Sequence, residues 1–389
     1  ALPIPIRFGL LTGDGQPMPF DGGKTEGLYV FDTDTAELVL HDVEQPPVLS
    51  ALRHFSAPVI LTVDEPMAHA FARVRGDSDP FNRWEAAQGL ARGLILNAAP
   101  DPGHVAAFAE ALAACLGDDR LEPAFKALIL ALPSESDMAQ MMNPIDPAFI
   151  HARRVALKAE LSHRLSAEAR ALYARLDPPA AFSPSADAAG GRALRNALLD
   201  LILAGYDASD DKAGLTALAE AHFARATNMT DMVGSIQALM VIQGAPYQRA
   251  LDSFYSRFRN EPLVIDKWFA LQAGCPHPET LKRVESLKTH PDFDAKTPNR
   301  WRALVQAFAG NQSVFHDPSG AGYAFLTEQI LKVDAFNPMT AARLVEPLSR
   351  FRFYAEPYSG LMRKALETVA AAPKLSKNVA ELAGKALEG

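Results

Sequence analysis

The chain has 389 residues, 48% hydrophobic and 22% charged, the balance of a folded globular protein large enough for two or three domains. Its net charge of −8 and its lack of a long Lys/Arg run argue against a nucleic-acid partner. No apolar run approaches the ~18 residues that a membrane-spanning helix needs, and two distant cysteines, Cys115 and Cys275, exclude a disulfide scaffold.

The first residues, ALPIPIRFG, have neither the charged start nor the apolar stretch of a signal peptide. With no initiator Met, they are expected to open a processed chain or one cut from something longer. Ile4, Ile6, Phe8 and Leu10 alternate with Pro5, Arg7 and Gly9, the period-2 pattern of a half-buried strand. Thr12-Gly13-Asp14-Gly15 reads as a turn. Further strands are expected at Gly27–Phe31, Ala36–Leu40 and Val59–Val63, separated by polar, Pro or Gly breaks. Short strands at this spacing predict a small, thin sandwich over residues 1–63, with open edges.

From Asp64 onward the pattern is helical. Starts recur as a small polar residue before Pro: Asp79-Pro80, Asp101-Pro102, Asp146-Pro147, Thr297-Pro298 and Asn337-Pro338. Asp, Thr or Asn at the N-cap accepts a free backbone N–H, and Pro at N1 lacks an N–H that would be unpaired there. Between the starts apolar residues recur at helical spacing. Phe149, Val155, Leu157 and Leu161 are one case; Leu194, Leu198, Leu199, Leu201 and Ile202 are another. Many medium helices without intervening strands predict, over residues 64–389, a mainly α fold of antiparallel helix pairs stacked as a bundle or solenoid. The stretch DPPAAFSPSADAAGG, residues 177–191, reads as a loop inside it.

The search for local chemistry is mostly negative. No two of the ten histidines are four apart and none is followed by Glu, so H-E-x-x-H is absent. G-x-S-x-G and a Walker A motif are absent as well. Gly320-Ala321-Gly322 follows a polar turn and reads as a loop before a helix. Asp207, Asp210 and Asp211 read as a solvated helix start, and His151-Ala152-Arg153-Arg154 as a salt-bridged surface. The cysteines sit among apolar residues, as buried free thiols of a reducing compartment do. Residues 280–389 carry 15 Lys and Arg against 11 Asp and Glu, a net +4 that leaves −12 on the remainder.

Two helices carry the candidate binding residues. From Pro338, at ~100° per residue, Leu344, Val345, Leu348 and Phe351 cluster on one side while Met339, Arg343, Glu346 and Arg350 cluster opposite. Met339 and Arg343 are i, i+4 neighbours and project together; Pro347 is expected to kink or end this helix. From Pro298, the residues Trp301, Leu304, Val305 and Phe308 form an apolar stripe. Arg300 and Arg302 flank it ~160° apart, too far round the helix to serve one site together.

Five segments are long and distinctive: DPFNRWEAAQ (79–88), ATNMTDMVGSIQAL (226–239), LVIDKWFALQA (263–273), TPNRWRALVQAFAGNQSVFH (297–316) and GYAFLTEQILKVDAFNPMTAARLVEPLSRFRFY (322–354). Together they resemble the bacterial-type aminopeptidase N branch of the M1 family of zinc metallo-aminopeptidases. That family combines an N-terminal β saddle, a thermolysin-like catalytic domain, a small β sandwich and a large C-terminal helical domain. The resemblance covers only the last two. It implies an Ig-like module at 1–63, lacking its first strands, and a right-handed helical superhelix at 64–389. The G-A-M-E-N loop and the zinc motif of the family lie in the part not matched. The resemblance therefore implies no catalytic residue, zinc or other cofactor in this chain, although the intact enzyme carries one zinc ion. It also implies cytoplasmic location. The partners would be the missing N-terminal and catalytic domains, with peptides as substrates. In relatives the helix opening at Pro338 points into the active-site chamber. The resemblance assigns Met339 to the pocket for the substrate's first side chain, and Arg302 and Arg343 to the peptide's C-terminal carboxylate. A free-standing helical-repeat scaffold binding protein partners is the alternative reading.

Overall fold

A computed structural model of the chain describes residues 2–176, 181–294 and 296–389. It divides into two compact units: residues 1–133 with 155–209, and residues 134–154 with 210–389.

The first unit opens with four strands, β1 (Ile4–Leu11), β2 (Pro17–Met18), β3 (Gly27–Phe31) and β4 (Val48–Ala51). All three partners pair antiparallel with β1. Leu10 lies opposite both Met18 and Leu49, and Phe8 opposite both Gly27 and Ala51. A strand has two edges, so β2 and β3 share one and β4 holds the other. The result is one four-stranded antiparallel sheet, the small N-terminal sheet module that the sequence predicts. Phe8, Leu10, Met18 and Phe20 bury its inner face, with Tyr29, Leu40 and Val43 packed against them.

Two expected strands are not formed. Ala36–Leu40 and Val59–Val63 pair with no strand among the described residues. The first contributes Leu40 to the core by side-chain packing alone and leaves Leu38 and Val39 exposed. The second exposes Val59, Ile60, Leu61 and Val63, with Ile60 fully in solvent. Apolar content without an available backbone edge does not make a strand. Two strands went unread: β2 is too short to show a period, and β4 lies in a segment with mixed polarity.

Helices fill the rest of this unit: α1 (Met67–Gly76), α2 (Pro80–Leu96), α3 (Pro102–Gly117) and α4 (Pro123–Leu130). After α5 (Glu135–Gln140), which belongs to the second unit, α6 (Pro147–Arg164) leads back to α7 (Ser166–Arg175) and α8 (Ala186–Leu203). The loop expected over 177–191 ends at Ser185, whose hydroxyl caps α8 by accepting from Ala188 N–H; its residues 177–180 lie outside the described residues. Leu194, Leu198, Leu199, Leu201 and Ile202 are all buried, as their spacing predicts, and α8 packs on α4 and α7. Val155, expected on the buried face of α6, is exposed.

The second unit contains α9 (Lys212–Arg225), α10 (Met229–Ile242), α11 (Gly244–Phe258), α12 (Pro262–Ala273) and α13 (Thr280–Leu287). These mostly pack neighbour on neighbour along the chain. Then come α14 (Pro298–Trp301), a π turn (Arg302–Gln306), α15 (Ala307–Ala309) and α16 (Gln312–Phe315). α17 (Ala321–Asp334), α18 (Pro338–Ser349), α19 (Tyr358–Ala370) and α20 (Lys377–Glu388) form a mutually packed group. Residues 134–154 join this unit because Ile145 N–H donates to the Phe353 carbonyl (2.7 Å) and Ala355 N–H to the Ile145 carbonyl (2.8 Å). The predicted polar-Pro starts all open helices, and Asp79, Asp101, Asp146 and Asn337 accept backbone N–H bonds as caps; Thr297 makes no side-chain cap bond. Gly322 sits in the first turn of α17, where a Cβ would lie 2.3 Å from the Phe315 carbonyl oxygen, so glycine permits that close approach.

A buried cation ties the sheet to α1 and α2. Arg53, 3% exposed, donates to Ser50 Oγ (2.8 Å), Glu26 Oε1 (3.0 Å) and Asp77 Oδ1 (3.0 Å). Asn82 Nδ2 on α2 donates to the same Ser50 hydroxyl (3.0 Å). Leu52, His54 and Phe55 all hold left-handed backbone angles around it, a strain that this bonding sustains. Arg53→Met would leave the fully buried Asp77 carboxylate without its counter-charge, at a cost of about 3 to 5 kcal/mol. Urea denaturation should show a lower midpoint for the unit carrying the sheet; an unchanged midpoint would refute this role.

His316 is the corresponding buried base of the second unit. Its Nδ1 lies 2.7 Å from Tyr323 Oη, and its ring stacks on Tyr354 at 4.8 Å. Burial pushes its pKa down to about 3. The unfolded chain therefore takes up a proton near pH 6.5 that the folded chain refuses. Stability from this group is complete above that pH and declines as pH falls towards 3. Between pH 7 and 5 the loss is about 2 kcal/mol. Denaturation at both pH values should show a smaller pH-dependent loss for His316→Gln than for the parent chain; equal losses would refute it.

Candidate functional site

The α18 helix begins with Asn337 accepting from Thr340 N–H (3.1 Å) and Pro338 at N1. Ala341, Leu344, Val345 and Leu348 are 0–5% exposed and face α17, α19 and α20. At ~100° per residue that stripe turns Met339, Arg343 and Glu346 outward. Met339 is 66% exposed and Arg343 is exposed beside it. Pro347 is accommodated in the last turn and the helix ends at Ser349.

Opposite stands α20. Ser376 caps its first turn, accepting from Val379 N–H, while Ser376 N–H donates to the Asp334 carboxylate (2.8 Å). At the other end Arg352 donates to the carbonyls of Ala386 (2.5 Å) and Leu387 (2.8 Å). Val379 and Ala383 are fully buried. Between α18 and α20 runs an open groove of about 490 Å³. Met339, Arg343 and Glu346 line one side; Asn378, Glu381 and Leu382 line the other. Lys385 donates a hydrogen bond to Glu381 and its charge adds to this, holding that carboxyl below its usual range. Among the described residues the Arg343 side chain has no ion-pair or hydrogen-bond partner.

Arg302 does not line this groove. It is exposed at the start of the π turn, its Nη1 3.3 Å from Asn299 Oδ1. Its neighbour Arg300 is structural: 8% exposed, with Nε 3.0 Å from Asp266 Oδ1 and the guanidinium over the Phe269 ring at 5.0 Å. Trp301, Leu304, Val305 and Phe308 are buried as a stripe. The structure thus brings together Met339 and Arg343 and leaves Arg302 outside their groove.

The groove residues that went unread are on α20. Asn378, Glu381 and Leu382 belong to an ordinary amphipathic helix, and only long-range packing sets them against α18. The available signal was Leu382, an apolar residue ~100° off its buried neighbour Ala383.

Other features carry less chemistry. A larger groove of about 730 Å³ in the first unit is lined by Leu49, Leu61, Val63, Met67 and Phe81, with Glu65 and Arg73 paired to each other. Asp211 caps α9 by accepting from Gly214 N–H (2.9 Å), and His151 Nδ1 lies 2.7 Å from Glu135 Oε1, so both act structurally. Cys115 and Cys275 are buried and free. No group of three or more His, Cys, Asp or Glu able to hold a metal is gathered among the described residues, so they do not fit a zinc site. No helix among them is long and apolar enough to cross a membrane.

Residues 1–64 match a family described as a domain of unknown function (DUF3458) with an Ig-like fold, and residues 68–388 match one described as a domain of unknown function (DUF3458_C) with ARM repeats. The chain is 48% identical to aminopeptidase N of Caulobacter vibrioides over 98% of its own length, and 34% identical to aminopeptidase N of Escherichia coli over 99%. It spans 43% and 45% of those two relatives, less than half of each. The crystal structure of Legionella pneumophila aminopeptidase A in complex with aspartic acid superposes with a TM-score of 0.83 at 25% identity, over 99% of this chain and 45% of that one. The chain belongs to the DUF3458_C ARM-repeat family, and over nearly its whole length it is similar to part of bacterial proteins named aminopeptidase N.

Proposed function

We propose that this chain is the non-catalytic C-terminal region of a zinc aminopeptidase that removes N-terminal amino acids from peptides. In this reading the metal-activated water belongs to the part of the enzyme outside this chain. The present part has a sheet module, residues 1–63, and a helical part, residues 64–389. It encloses the active-site chamber and governs which peptides enter and how they are held. Its partners are the catalytic remainder of the enzyme and the peptide substrate. Two buried thiols agree with a reducing, cytoplasmic setting.

One observation carries the reading. Met339 and Arg343 project from one helix into one groove, the first largely exposed and the second without a side-chain partner among the described residues. Leaving an apolar thioether and an unpaired guanidinium side by side in water gains the isolated fold nothing. It suits a ligand that presents a side chain to one and an anion to the other. Met is flexible and polarisable, so it adapts to side chains of different shape. Arg meets a carboxylate with charge-assisted, often bidentate, hydrogen bonds. We assign Met339 to the pocket for the first side chain and Arg343 to the peptide carboxylate. Arg302, exposed outside this groove, is proposed as a second cation for the same carboxylate.

In the full-length enzyme, Arg343→Ala should raise KM for unblocked peptides about tenfold, the worth of one charge-assisted hydrogen bond. Arg302→Ala should act in the same direction. Neither should change KM for a small chromogenic amide that has no carboxylate. Met339→Ala should alter first-residue preference. Equal effects of the arginine changes on both substrates, or an unaltered preference, would remove these residues from substrate binding.

A further inference from the structure

The side of the groove contributed by α20 has an exposed leucine where solvent alone would favour a polar residue. Leu382 is 45% exposed, flanked by Asn378 and Glu381, and lies across the groove from Met339. It is not needed to dock the helix, since Val379 and Ala383, both fully buried, do that. Its position is fixed from both ends. Asp334 holds the N-cap Ser376, and Arg352 holds the last carbonyls of the helix. A wall so anchored does not yield to a bulky ligand, which makes its side chain a selector by size.

We propose that α20 is the second wall of this groove and that Leu382 is a specificity-determining residue. Facing Met339, it favours substrates with aliphatic or thioether side chains. Glu346 and Glu381 at the margin disfavour acidic ones. Lys385 draws the Glu381 carboxylate into an ion pair (2.6 Å), so Glu346 is the stronger repulsive charge. The inference rests on the groove being the substrate groove proposed above.

The test measures kcat/KM of the full-length enzyme for free dipeptides X-Gly, with X as Ala, Leu, Met or Glu. Leu382→Trp narrows the groove and should lower the value for X as Leu and Met about tenfold relative to Ala, the scale on which an apolar pocket discriminates one or two methylenes. Leu382→Ala should flatten the preference between Ala and Leu. Both variants change a part-exposed side chain, and their thermal unfolding should match the parent. Arg343→Ala runs in parallel. If it weakens all free dipeptides while both Leu382 variants keep the parental profile, the α20 inference is overturned and the groove reading stands. If all three variants behave as the parent does, both fall. If the dipeptide profile shifts with Leu382 and the shift is absent with Leu382→Met, the selecting property is the size and apolarity of that side chain, as proposed.

Discussion

The candidate site depends on how α18 is seated. Ala341, Leu344, Val345 and Leu348 together remove four apolar side chains from water, worth about 1.5 to 3 kcal/mol for each of the larger ones. That burial fixes the helix rotation against α17, α19 and α20. Rotation in turn decides what remains outside. Met339, Arg343 and Glu346 are exposed because the opposite face has no choice but to be inside. A residue on this surface is therefore positioned by the core beneath it, and the groove inherits the rigidity of that packing.

The same logic explains how much could be read from the amino-acid order. Helices were legible because their information is local. An Asp or Asn before Pro satisfies a backbone donor and removes another, so α2, α3, α6 and α18 start where expected. The β module was only half legible. Ile4–Leu11 and Gly27–Phe31 alternate and pair, whereas Val59–Val63 is equally apolar and remains unpaired in the described structure. A strand requires an edge as well as a pattern, and which edges are vacant is a property of the whole chain.

The proposed binding residues divide in a similar way. Met339 and Arg343 share a helix, so their common projection follows from i, i+4 spacing. The separation of Arg300 from Arg302 was also visible in the periodicity. What distinguished them was Asp266 and Phe269, more than thirty positions earlier, which bury Arg300 and leave its neighbour exposed. The α20 wall was not legible. Nothing in Lys377–Glu388 announces that it lies across from Met339, and only the fold supplies that neighbour.

The account holds that this chain shapes and restricts a site whose reacting atoms belong elsewhere. That claim joins two expectations: no turnover by this chain alone, and turnover once the remainder is present. The direct measurement is to purify the 389-residue chain, determine its zinc content, and assay it on an amino-acid amide with and without the separately produced remainder of the enzyme. The account predicts no stoichiometric zinc and no turnover by the chain alone, with turnover appearing when the remainder is added. Bound zinc together with measurable hydrolysis by the chain alone would contradict it.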